Sequence, residues 1–201
     1  MAETTARTDA RHTRERLLAA ARDAFASYGT EASLRDIARR TKVGIGTLYR
    51  HFPTREALLE AILDTNFDTL RERAEQLLES PSIAPLEALL TWLNDLAVGA
   101  RTYQGLPHSI MVALADENSE LHASCAAMRA SGERLLRRAQ DAGQVRTDIT
   151  VYEMIAIIIG SVWAVQQDGG LSDRMARLLD VAAHGFVRHP TAAGGDRSDR
   201  P

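Results

Sequence analysis

Ser33-Leu34-Arg35-Asp36-Ile37-Ala38-Arg39-Arg40, then Lys42-Val43-Gly44, then Ile45-Gly46-Thr47-Leu48-Tyr49-Arg50-His51-Phe52-Pro53, is the stretch on which the fold turns. It divides into two short helices separated by a tight break. Ser33 with Asp36 three residues on has the spacing of a capping box, in which the first side chain accepts a backbone N–H of the opening turn. Leu34, Ile37 and Ala38 give that helix one side to bury. Lys42-Val43-Gly44 interrupts the period, a second helix spans Ile45 to Phe52, and Pro53 ends it, having no N–H to continue the ladder.

Neither helix is long enough to stand alone in water. Upstream, Leu17, Leu18, Ala21, Phe25 and Tyr28 follow the rhythm of an amphipathic helix expected from near Thr13 to Gly29, and that helix supplies the missing core. Downstream, Thr54 caps a long helix with Glu56 in its first turn, and an apolar stripe from Leu58 to Leu78 carries it close to Ser80. One face of Ile45 to Phe52 is then left open. It carries Thr47, Tyr49, Arg50 and His51, with Gly44 and Gly46 small enough for close approach.

A helix about 10–12 Å across fits the major groove of B-DNA. Thr47 and Tyr49 then face phosphates or thymine methyls, and Arg50 and His51 face phosphates or base edges. Ser33 and Arg35 at the positive end of one helix, Arg55 at that of another, and Lys42 in the turn suit phosphate clamping. Arg7, Arg11 and Arg14 form an arm expected ahead of the first helix. Charge agrees with a polyanion partner for this head. The formal net charge of −3 hides eleven basic against six acidic residues up to Arg55, and thirteen against twenty-one beyond it.

The remainder reads as further helices: about Leu86 to Tyr103, Pro107 to Ala115, Ser119 to Asp141, one opened by the capping box Thr150 to Glu153 and reaching Gln167, and a last one lined by Met175, Leu178, Ala182 and Phe186. The chain is expected to be all-α with about nine helices. Residues 1–57 form a three-helix helix-turn-helix domain, 58–189 a helical bundle for ligand sensing and dimerisation, and 190–201 a disordered tail. A lone cysteine, Cys125, excludes an internal disulfide and suits a reducing compartment. The polar start, and a longest apolar run of only Met154 to Val165 against the roughly twenty residues a crossing needs, point to a cytoplasmic protein with no membrane partner.

The helix after Thr150 is apolar on nearly every side, so all its sides want burial. Ile155, Ile158, Ile159 and Val162, with Leu178, Ala182 and Phe186 of the last helix, are the expected dimer interface. A helix buried inside its own protomer is the alternative. Trp92, Tyr103, His108, Met111, Leu114, Cys125, Met128 and Trp163 are of the types that line small-molecule pockets, and ordinary core is the alternative for each. His122 and Cys125 share a helical face, with Asp116, Glu117 and Glu120 nearby, but they fall short of a closed zinc site. No nucleophile motif or phosphate loop stands out, so no metal, cofactor or enzymatic activity is expected.

Ser33 to Arg40 followed by Val43 to Leu58, above all Gly46-Thr47-Leu48-Tyr49, His51-Phe52 and Arg55-Glu56-Ala57-Leu58, resembles the signature of TetR-family regulators over roughly Thr13 to Leu63. The resemblance implies a homodimer, usually a repressor, that releases a palindromic double-stranded operator when a small effector binds its C-terminal domain. It implies that Thr47, Tyr49 and His51 contact DNA, that Arg55 grips a phosphate, and that Ser33 and Arg35 do likewise. Gly44 stands where the family often has a serine ahead of the recognition helix, and Ile45 replaces a polar residue that some members use to read bases. Base reading then leans on Lys42, Tyr49 and Arg50. A ligand-independent regulator, or an activator, is the alternative.

Overall fold

The short-range signals of the sequence act where they stand. Gly29, at φ 73°, adopts the left-handed conformation that closes helix α1 (Ala2–Tyr28). Ser33 Oγ accepts the Asp36 N–H at 3.3 Å to open α2 (Leu34–Arg40), while the Asp36 carboxylate pairs forward with Arg39 at 2.9 Å. Lys42 takes a left-handed φ of 58° in the turn, an uncommon conformation for a side-chain-bearing residue. Then α3 (Ile45–His51) runs to Phe52, and Thr54 Oγ1 accepts the Ala57 N–H at 3.0 Å to start α4 (Arg55–Leu78). A computed structural model describes residues 2–100, 106–167 and 172–187.

Helix α1 begins at Ala2, well before the expected Thr13. The leading segment contains no glycine or proline and is rich in alanine, arginine and threonine, so nothing breaks the helix. The expected arm is therefore part of a helix. Arg11 pairs with Glu15 at 3.7 Å, and the Arg14 guanidinium lies 5.3 Å from the centre of the Phe52 ring.

Five more helices follow: α5 (Pro85–Ala100), α6 (His108–Ala115), α7 (Glu120–Asp141), α8 (Val151–Gln167) and α9 (Ser172–Phe186). That makes nine among the described residues, and the one sheet-like contact there is an isolated antiparallel bridge between Val145 and Val187. The Thr150 capping box is reciprocal, with Thr150 N–H to Glu153 Oε2 at 2.8 Å and Glu153 N–H to Thr150 Oγ1 at 3.3 Å. The expected tail, 190–201, lies outside the described residues.

Helix α4 is the common wall. It packs against α1 on the head side and against α5, α6 and α7 in the body. Polar ties repeat along its length: Ser124 Oγ donates to Asp64 at 2.5 Å, Arg134 holds Glu75 through both carboxylate oxygens at 2.8 and 2.9 Å, and Arg138 caps the Leu77 carbonyl at 3.1 Å. At the centre, the fully buried Trp92 donates its indole N–H to the Leu70 carbonyl at 3.0 Å. Gly132 of α7 makes room for that ring. A Cβ there would lie 2.4 Å from Trp92 Cη2, inside any tolerable contact. Gly132→Ala is expected to lower stability by about 1–3 kcal/mol through overpacking, read by urea unfolding with helical content retained. Unchanged stability would mean that the indole is not wedged against this helix.

Candidate nucleic-acid interface

Leu48 and Phe52 fix the orientation of α3. Both are buried in the head, in one core with Leu17, Phe25, Ile37, Leu58 and Leu59. Gly46, Tyr49 and Arg50, spaced by three and four on the same helix, are left outside, with Tyr49 48% exposed. Gly44 and Ile45 at the start of α3 are exposed too, while Thr47 and His51 are half-buried at its flanks. Ser33, Arg35 and Lys42 are exposed beside it. Each of these sequence-derived residues is thus at least partly exposed.

Arg55, of the same set, is tied within the head. Its Nη1 donates to the Thr30 carbonyl at 2.5 Å and to the Ala32 carbonyl at 2.8 Å, so this nitrogen ties the start of α4 to the α1–α2 loop and is not turned to a phosphate. The loop carbonyls have no helical partner of their own, and a charge-assisted bond satisfies them. Arg16 does the same from α1, donating to the Thr41 carbonyl at the end of α2. Thr41 Oγ1 in turn bonds the Ile37 and Ala38 carbonyls at 3.2 and 2.9 Å. The Arg55 and Arg16 ties span 23 to 25 residues, and no local pattern in the sequence announces them.

The two glycines carry a further meaning. A Cβ at Gly44 or Gly46 would meet nothing within 4 Å, so nothing inside the protomer demands glycine there. Glycine inside a helix costs roughly 0.5–1 kcal/mol relative to alanine. Small residues on an open polar face suit the close approach of a surface from outside. Gly44, at φ −69°, is an N-cap with no side-chain bond, as its residue type requires.

The residues expected to line a ligand pocket do not come together. Trp92 and Met128 are buried core. Met111 and Trp163 are more than half exposed on different helices, and His108 lies on the surface. Leu114 and Cys125 are half-buried, Leu114 giving its carbonyl to the His122 ring at 2.9 Å. Burial pushes the Cys125 thiol above its ordinary pKa, the opposite of an activated nucleophile. Tyr103 lies outside the described residues.

Of the residues expected at a dimer interface, Ile155, Ile158, Val162 and Phe186 are buried within their own protomer, and Ile159, Leu178 and Ala182 are half-buried. An all-apolar helix gives no sequence cue as to which side its own fold covers. The side left open carries Ala156, Ile157, Gly160, Trp163 and Ala164, with Tyr152 before them and Val181 exposed on α9.

A helix-turn-helix on a basic head, joined through one long helix to an all-helical body, defines a DNA-binding regulator, and comparison with known proteins agrees. Residues 17–62 match the profile described as bacterial regulatory proteins, tetR family, and residues 84–188 match that of the SbtR-like transcriptional regulator C-terminal domain. The TetR transcriptional regulator SCO0520 of Streptomyces coelicolor is 33% identical, over 89% of this chain and 99% of that one, with a TM-score of 0.66. A TetR regulator of Mycobacterium vanbaalenii is 31% identical over 90% and 99%, with a TM-score of 0.61. The chain belongs to the TetR family of transcriptional regulators. Among curated relatives, the A-factor receptor protein of Streptomyces griseus is 27% identical over 85% of this chain, which spans 62% of that protein's length. A regulator of Mycobacterium bovis is 51% identical over 49 residues, 24% of this chain and 26% of its own.

Gly46→Ala separates the role of the glycine from that of the fold. Stability is expected to rise by roughly 0.5–1 kcal/mol, as the helix gains a better former. Affinity for a cognate duplex is expected to fall at least tenfold in a competition assay. Loss of stability, or unchanged affinity, would mean that Gly46 does not face DNA.

Proposed function

We propose that this chain is a dimeric repressor that occupies a palindromic operator and leaves it when a small molecule binds. The observation that carries the reading is the open face of α3, polar and basic around two glycines with empty space above them. Tyr49, Arg50 and Lys42 read base edges and the adjoining backbone, and Ser33, Arg35, Thr47 and His51 position the helix on phosphates. Arg55 acts on DNA indirectly, by holding α4 and the α1–α2 loop together.

Two heads must sit about 34–36 Å apart to enter successive major grooves, which calls for a two-fold interface far from α3. The exposed apolar side of α8, with Ile157, Gly160 and Trp163, together with Val181 of α9, suits that task. Apolar residues on an open helix face gain from burial, and small residues among them let two helices close. Release follows from linkage: a ligand that binds better to a form with the wrong head spacing draws population away from DNA, by no more than its differential affinity. The name of the Streptomyces griseus relative, an A-factor receptor protein, supports an effector here.

The test uses the full chain with DNA from upstream of its own reading frame. Wild type is expected to sediment as a dimer and to bind that duplex against random competitor, with affinity falling steeply as salt rises. Trp163→Glu is expected to sediment as a monomer with its helical content intact and to lose most of the operator affinity. A dimeric Trp163→Glu variant would remove this face from the interface.

A further inference from the structure

Several arginines of the head are engaged within it. Arg16 donates to the Thr41 carbonyl, Arg55 Nη1 to the Thr30 and Ala32 carbonyls, and Arg39 pairs with Asp36 at 2.9 Å. On α1, Glu15 draws Arg11 at 3.7 Å and His12 at 3.9 Å. Arg14 differs. It is exposed, no carboxylate pairs with it among the described residues, and what holds it is a ring: its guanidinium lies 5.3 Å from the centre of Phe52, the residue that ends α3. Helical spacing puts it there. Arg14 precedes Leu18, Ala21 and Phe25 by four, seven and eleven residues, so it continues the buried stripe of α1 just ahead of Leu17, the first buried residue of that helix among the described ones. The His51 ring stands 6.3 Å from the same Phe52 ring, centre to centre, so Arg14 and a side chain of the recognition helix gather round one aromatic.

A stacked guanidinium is still a donor. The ring takes its flat face, while its N–H groups point outward in the plane of the group and stay free for an oxyanion. Stacking also fixes in advance a long side chain that would otherwise lose rotamer freedom on binding. We propose that Arg14 is a phosphate-binding residue of the head: held over Phe52, it donates to a backbone phosphate of the duplex beside the C-terminal end of α3. The assignment rests on the reading that the open face of α3 meets DNA, and it adds a contact from α1, outside the two helices of the motif. Such a contact carries no base information. It fixes where that end of α3 lies along the backbone and leaves base choice to Tyr49 and Arg50.

The test measures full-length protein, over a range of salt, against two duplexes of equal length, one that it selects itself from genomic fragments and one random. Arg14→Met keeps an apolar stem over Phe52 and removes the charge. It is expected to weaken both duplexes by the same factor, about tenfold, and to make the log–log salt slope shallower by about 0.9 for each head bound. Its urea midpoint is expected to stay at the wild-type value. Arg14→Lys, which has the charge without the flat fork, is expected to recover the salt slope and only part of the affinity. Ethylating one phosphate in each half-site is expected to impair wild type and to leave Arg14→Met indifferent. An unchanged slope with an unchanged ethylation pattern would overturn the assignment, and so would an affinity loss that merely follows a lowered urea midpoint, the mark of a structural role. Arg50→Met tests the underlying reading separately and is expected to lose most of the preference for the selected duplex. An undiminished preference there would overturn the α3 reading and this assignment with it, whereas a normal Arg50→Met result beside an unaffected Arg14→Met overturns the assignment alone.

Discussion

Helix α4 has to serve the head and the body at once, and the rest of the molecule follows from that constraint. Its first turn is held to the head by Arg55 on the Thr30 and Ala32 carbonyls. Its later turns are held to the body by the Asp64–Ser124 and Glu75–Arg134 pairs and by Trp92 on the Leu70 carbonyl. Its 24 residues, at 1.5 Å each, make a rod of about 36 Å. The head and the body are thus joined through one continuous helix. The three helices of the head share one core, to which Leu17, Phe25, Ile37 and Leu48 all belong.

The recognition surface is the complement of that packing. Because Leu48 and Phe52 are committed inward, Tyr49 and Arg50 have only the outside left to them, and the glycines between keep the surface low. Arg16 and Arg55 lie within the basic head but serve its carbonyls, so the electrostatic character of the region comes from the arginines and the lysine that remain exposed around α3. The left-handed Lys42 places a charged side chain at the tightest point of the turn, where glycine would relieve the backbone but lose the cation.

What the sequence made legible was local. Ser33, Thr54, Thr150 and Gly29 act within four residues of themselves, and each begins or ends a helix as its chemistry dictates. The outward face of α3 was legible because its apolar and polar residues alternate at helical spacing. The two sides of α8 were not, since isoleucine, valine and tryptophan occur all round it and only the neighbouring helices decide which are covered. The bonds that Trp92 and Arg55 make within the protomer were not legible for a related reason: their partners lie 22 to 25 residues away, and a side chain's use depends on which carbonyl reaches it. Asn66 sits four residues after Ile62 and four before Leu70 in the buried stripe of α4, a polar amide at an apolar position.

The most direct trial of the central claim is selection of bound duplexes from fragmented DNA of the source genome, followed by alignment of the enriched fragments. A dimer reading successive major grooves should enrich a two-fold symmetric motif whose half-sites are centred about one helical turn, or a whole multiple of it, apart. Enrichment of an unsymmetrical motif, or of no motif at moderate salt, would contradict a dimeric reader built around the open face of α3.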